Sequence, residues 1–182
     1  MKVVILCGGF GSRLGHETNI IPKPMVKIDK DPIIVHILKQ YYKYGYKEFI
    51  LALGYKGEHI RNFFKKKKFK FKVQTIFTGR KTLTGGRLLK LKKYLKKEKN
   101  FMLTYGDGIS NQNIRNLTKF HLKHKKTATM TVVRPPVRFG EVTLQKDKVV
   151  KFMEKPQIKT SWINGGFFVF NKKIFNYLSS LN

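Results

Sequence analysis

Val3-Val4-Ile5-Leu6-Cys7-Gly8-Gly9-Phe10-Gly11-Ser12-Arg13-Leu14 is the stretch on which the fold turns. A short apolar strand runs straight into a glycine-rich turn that carries an arginine. The glycines at 8, 9 and 11 let successive backbone N–H groups point into one concavity, because glycine reaches φ > 0 without a Cβ clash. Such a nest, followed by Arg13 and then Lys23, suits a chain of phosphates.

Outward from that turn, strands alternate with helices. Asp31-Pro32 starts a helix with apolar Ile33, Ile34, Ile37 and Leu38 at helical spacing, and Gly45 ends it. Strands are expected over 48–53, 71–77, 101–105 and 127–133, with helices over 58–64, 85–95 and 111–124. Residues 140–144 and 149–153 read as a hairpin through Gln145-Lys146-Asp147-Lys148, followed by a strand over 166–170 and a short helix within 171–178. The alternation predicts a three-layer α/β domain with a mixed, mostly parallel sheet and an antiparallel hairpin addition. Ligands bind such sheets at the carboxyl ends of the strands. With no linker, repeat or low-complexity tract, residues 1–182 read as one domain.

Composition narrows the classes. A hydrophobic fraction of 41% with 13% aromatic residues is that of a globular chain. No apolar run reaches the roughly 18–20 residues that a membrane helix needs, and Val3 to Leu6 is too short for a signal peptide. One cysteine cannot form an internal disulfide, which points to a reducing cytoplasm. The net charge of +29 invites a nucleic-acid reading, but the lysines are scattered over nearly every segment instead of forming one stripe. No specific nucleic-acid partner is expected; the positive field steers anionic small substrates inward.

The glycine turn fits neither of two common phosphate loops. The lysine and hydroxyl of GxxxxGK[ST] are absent, and the third position of the dinucleotide fingerprint is Leu14, although Asp29 falls about where a ribose-binding acid would. Taken alone the glycines could mark a plain tight turn, Gly106-Asp107-Gly108 another turn, and Glu154-Lys155-Pro156 a strand end. The five histidines show no metal-ligand spacing, and His121 and His124 read as decoration on a helix. Arg87, read at a helix start, opposes the helix dipole and so favours an anionic partner.

Taken together, the motifs are specific. Gly8-Gly9-Phe10-Gly11-Ser12-Arg13-Leu14, Pro22-Lys23-Pro24-Met25, Gly54-Tyr55-Lys56-Gly57 and Leu83-Thr84-Gly85-Gly86-Arg87-Leu88 stand in order. Thr104-Tyr105-Gly106-Asp107-Gly108, Pro135-Pro136-Val137-Arg138-Phe139-Gly140, Glu154-Lys155-Pro156 and Ile163-Asn164-Gly165-Gly166-Phe167-Phe168 follow. This set resembles the sugar-1-phosphate nucleotidylyltransferases, most closely their glucose-1-phosphate cytidylyltransferase branch. The resemblance implies the Rossmann-like nucleotide-diphospho-sugar transferase fold, CTP and glucose 1-phosphate as substrates, and Mg²⁺ as cofactor.

It also implies roles. Leu6, Cys7, Gly8, Gly9, Phe10, Gly11 and Ser12 would hold the nucleotide, Arg13 the leaving pyrophosphate and Lys23 the α-phosphate. By this resemblance Arg13 and Lys23 would be the catalytic pair. Thr82 and Arg87, beside a Gly85-Gly86 turn, and Gly106 would line the nucleotide pocket, and Asp107 would bind Mg²⁺. Gly140, Glu154, Lys155, Asn164 and Gly165 would enclose the sugar phosphate. A relative using another nucleotide or sugar, or a non-catalytic nucleotide-binding subunit, is the alternative.

Two departures from the family stand out. The connection between the helix near 58–64 and the strand near 71–77 is short, where the family carries a longer excursion used in homo-oligomer contacts. Family members also continue past the position of Asn182 into a segment with a tryptophan and a second metal-binding aspartate, and no Asp or Glu follows Glu154 here. The expectation is that CTP binding survives and that turnover is low.

Overall fold

A computed structural model describes residues 1–10, 21–135, 140–154 and 161–178. The chain begins with β1 (Val3–Cys7), followed by a single 3-10 turn at Lys23–Met25 and by two short paired strands, β2 (Lys27–Ile28) and β3 (Asp31–Pro32). Then come α1 (Ile33–Lys43), β4 (Glu48–Leu53), α2 (Gly57–Lys66), β5 (Lys72–Phe77), α3 (Thr84–Lys90) and α4 (Lys92–Leu95). The order continues with β6 (Asn100–Tyr105), α5 (Ile114–His124), β7 (Ala128–Val133), β8 (Glu141–Gln145), β9 (Lys148–Met153), β10 (Ile163–Asn171), a 3-10 turn and α6 (Phe175–Leu178). Among the described residues no helix is long and apolar enough to cross a membrane.

Two compact units emerge, Met1–Thr129 with Phe167–Asn182, and Met130–Gly166. The first is built on a sheet of order β5-β4-β1-β6-β10-β7. β5, β4, β1 and β6 run parallel, and β10 pairs antiparallel with β6. β1 and β4 are near-continuous apolar runs because both faces are covered, whereas β5 at the edge alternates. Period-2 alternation sorts the side chains: Val3, Ile5, Phe49, Leu51 and Leu53 pack towards α1, whose Ile34, Ile37, Leu38 and Tyr41 are fully buried. Val4, Ile50, Ala52, Phe101 and Leu103 pack on the opposite side against Leu88, Leu91, Leu95 and Phe175. The result is helix, sheet, helix, as the alternation predicts.

The helices start and stop for local reasons. α1 begins after Pro32, whose φ of −59° is already helical in sign, and Gly45 at φ +89° reverses the chain behind it. α5 is capped by the Asn113 side chain, which accepts from the Asn116 N–H at 3.0 Å. The predicted helix over 85–95 is two pieces, with Leu91 between α3 and α4.

Register positions the ends. Cys7 pairs with Leu53, Leu6 with Tyr105, and Leu53 with Phe77, so the four parallel strands finish at one level. The segments that follow them, at 8–10, 54–56, 78–83 and 106–108, therefore leave from the same rim.

The second unit contains the hairpin β8–β9, turned through Lys146 at φ +53°. It pairs within itself as a two-stranded sheet, and the antiparallel member of the large sheet is β10.

Candidate active site

At the rim where β1, β4, β5 and β6 end lies a cavity of about 310 Å³. Leu6, Cys7, Gly8, Gly9 and Phe10 line it from the first turn, and Gly106 and Asp107 from the end of β6. Lys23 enters from the 3-10 turn, where Pro22 and Pro24 hold the backbone and Pro24 is buried. Thr82 and Arg87 close the side towards α3. Gly11, Ser12, Arg13 and Lys155 lie outside the described residues.

Lys23 Nζ sits 2.7 Å from Asp107 Oδ2, an ion pair about one-third exposed. Asp107 is the one carboxylate among the described lining residues, and its Oδ2 is the atom that meets Lys23. Gly106 is there because a Cβ would lie 3.0 Å from Cys7 Sγ, Leu6 O and Pro24 Cγ at once. The Cys7 thiol is buried, and burial first, with the Asp107 charge second, pushes its pKa up against the opposing pull of Arg87. It stays protonated and is no nucleophile.

Arg87 is placed differently from the sequence expectation. α3 begins at Thr84 and has only seven residues, so Arg87 belongs to its last turn as much as its first. The dipole argument for an anionic partner fails there. Gly85 and Gly86 likewise lie inside the helix, not in a turn before it. Arg87 is 5% exposed, and its guanidinium bonds inward. Nη1 donates to Thr78 Oγ1 and Gly79 O at 2.8 Å and to Leu53 O at 3.2 Å. Nη2 donates to Gly8 O at 2.8 Å and to Arg80 O at 3.2 Å. One side chain thereby ties together the segments behind β1, β4 and β5. Burial lowers its pKa, but a guanidinium starts so high that it keeps its charge.

Thr82 Oγ1 accepts from Lys90 Nζ at 3.2 Å, which holds the 79–83 loop on α3. Two cations in that loop, Arg80 and Lys81, also line the cavity and were not anticipated. The signal for them was a pair of basic residues between β5 and α3, beyond the carboxyl end of a strand. Arg80 lies over the Tyr55 ring at 5.6 Å, and the Phe10 ring packs tilted against the same ring at 5.1 Å.

The remaining expected residues belong to the second unit. A Cβ on Gly140 would meet the Phe152 ring at 2.6 Å and Glu154 Oε2 at 3.4 Å, so Gly140 and Glu154 are neighbours. Asn164 Oδ1 accepts from the Gly166 N–H at 2.8 Å, and Gly165 packs against Val133 and Thr131.

His121, expected on a solvated helix face, is 2% exposed. The Lys126 N–H donates to His124 Nδ1 at 2.9 Å, so His124 Nε2 carries a proton and donates to Thr129 Oγ1 at 2.7 Å. Thr129 in turn donates to His121 Nδ1 at 2.8 Å. These bonds are at the start of β7, and the cavity does not use them.

Comparison with known proteins agrees with this geometry. The nucleotidyl transferase family model matches residues 2–182. The glucose-1-phosphate cytidylyltransferase of Salmonella typhi is 39% identical over 202 aligned positions, which take in 99% of this chain and 79% of the relative. Its Salmonella typhimurium counterpart is 38% identical with the same coverage. Among solved structures, HddC from Yersinia pseudotuberculosis complexed with GMP-PN superposes with a TM-score of 0.73 at 28% identity, covering 96% of this chain and 78% of that one. A full-length family match, relatives near 40% identity and a cavity at the carboxyl rim of a parallel sheet lead to one conclusion: the chain belongs to the nucleotidyl transferase family.

Proposed function

We propose that the chain is a glucose-1-phosphate cytidylyltransferase, which joins CTP and glucose 1-phosphate into CDP-glucose and releases pyrophosphate. The observation that carries the proposal is the Lys23–Asp107 pair on the wall of the cavity lined by Gly8, Gly9 and Phe10. A phosphate oxygen of the sugar phosphate forms a bond to the α-phosphorus of CTP, and the bond to the bridging oxygen of the departing pyrophosphate breaks. The nucleophile is already an anion, so the residues have to position two anions and offset their repulsion, with no general base required.

Lys23 does this at the α-phosphate: its ammonium is a compact charge on a flexible stem and can swing from Asp107 onto the phosphate oxygens. The glycine turn offers backbone N–H groups, whose fixed dipoles need no reorganisation during the reaction. Arg13 takes the pyrophosphate end, with Thr82 and Arg87 beside the nucleotide. Gly140, Glu154, Lys155, Asn164 and Gly165 hold the sugar phosphate.

One carboxylate, completed by triphosphate oxygens, is a donor set that Mg²⁺ accepts, and Asp107 is the residue that would hold it. Bound there, the ion would neutralise charge across the phosphates. The single buried thiol of Cys7 supports a reducing compartment, and we assign the reaction to the cytoplasm.

Pyrophosphate release, measured with glucose 1-phosphate and each of CTP, UTP, GTP and dTTP in turn, tests the proposal. CTP should be turned over fastest, with CDP-glucose as the product. Equal turnover of GTP would move the chain to another branch, and nucleotide binding without product from any of the four would make it a binding subunit.

A further inference from the structure

The Arg87 guanidinium occupies a slot made for it. A Cβ on Gly54 would lie 2.6 Å from Nη1 and 2.7 Å from Nη2, and a Cβ on Gly8 would strike the same guanidinium. Two of the glycines at the rim are therefore glycines because Arg87 passes between them. Its five acceptors come from three loops that are far apart in sequence, at Gly8, at Leu53, and at Thr78, Gly79 and Arg80. Four of the five are backbone carbonyls or lie within one residue of a lining residue.

We propose that Arg87 is a positioning residue, which presets the phosphate-binding turn by holding the Gly8 carbonyl, in addition to lining the cavity. The peptide between Gly8 and Gly9 is planar and trans, so its C=O and N–H point in opposite directions. Arg87 Nη2 fixes the oxygen at 2.8 Å, with the Tyr55 N–H adding a weaker bond at 3.4 Å. Fixing that oxygen fixes the Gly9 N–H on the other side of the peptide. Without Arg87 only the long Tyr55 bond restrains the Gly8 carbonyl, because nothing in the glycines' own side chains restricts them. The entropy of setting the turn would then fall on nucleotide binding. This inference deepens the proposed nucleotide site and rests on it only for the activity arm of its test.

Amide hydrogen exchange on the nucleotide-free protein separates positioning from direct contact. In R87A, exchange over 8–10 and 78–82 should rise at least tenfold while β1, β4 and β6 keep their protection. KM for CTP should rise, and millimolar guanidinium should restore both the protection and KM by refilling the slot. If R87A does not fold, R87K serves: lysine keeps the charge but reaches fewer oxygens, so partial loss at the same segments is expected. Unchanged exchange with weakened CTP binding would overturn the proposal and make Arg87 a nucleotide ligand only. Exchange rising uniformly across the sheet would also overturn it, as a plain stability effect. Neither exchange result depends on which substrate the cavity takes.

Discussion

Replacing Gly54 by alanine tests the packing at the rim most directly. The added Cβ lies 2.6 Å and 2.7 Å from the two terminal nitrogens of Arg87 and 2.7 Å from Gly8 Cα. The arginine could retreat, but Gly8 Cα is backbone, and the Cys7–Leu53 pairing just before it fixes β1 against β4. Relief of the clash therefore expels the guanidinium or parts the strand ends. Overpacking costs about 1–3 kcal/mol, and the net loss of one charged hydrogen bond adds about 1.5–3 kcal/mol. The expected loss is about 3–5 kcal/mol, a large share of the roughly 5–15 kcal/mol that holds a domain folded. Urea denaturation gives the value directly, provided the m-value is unchanged. The same substitution in an R87A background should cost at least about 1 kcal/mol less, because the two sites couple. A loss under about 0.5 kcal/mol, or an identical loss in both backgrounds, would refute the slot.

Three further outcomes are expected. D107N should lower turnover by about 10²–10³-fold and shift stability by less than about 1 kcal/mol, because the Lys23–Asp107 pair is partly exposed; a pyrophosphate assay beside a thermal melt reads both. Lys39 and Lys67 hydrogen-bond Asp31 and hold its pKa down to about 2, so its contribution to stability is complete above the unfolded carboxylate value near 4 and disappears as pH falls towards 2. D31N should therefore flatten the slope of stability against pH in that window, and an unaltered slope would contradict the pairing. The buried, protonated Cys7 thiol should react with a thiol reagent no faster than the protein unfolds, and mass spectrometry of timed samples would expose faster labelling.

Much of the scaffold was legible because its signals are local. β4 spans the predicted 48–53, since a parallel strand covered on both faces is an apolar run with sharp ends. The cavity residues Gly8 and Asp107 stand out because they sit in glycine-bearing turns directly after strands, whereas Thr82 is reached only through the family resemblance. What stayed hidden depends on backbone atoms. The inward bonds of Arg87 are hidden from the sequence because its acceptors are mainly carbonyl oxygens, which every residue carries and no motif marks. The break at Leu91 was invisible because Leu88, Leu91 and Leu95 keep apolar spacing through it. His121 lies on the buried side through its bonds to the Thr129 hydroxyl, a partner from another element.

The common finishing level of the parallel strands has a consequence at their other ends. The link from α2 into β5, Lys67 to Phe71, arrives at the far margin of the sheet, beside the Glu48–Lys72 pairing. β5 is six residues long, so roughly 20 Å of rigid strand separates that link from the catalytic margin. The chemistry is insulated from this link, but its Lys67 pairs with Asp31 and its Phe69 and Phe71 pack on the core, so a change of length there acts on stability at the margin opposite catalysis. An insertion in this link would show itself as a lower melting temperature in an enzyme whose active margin is intact.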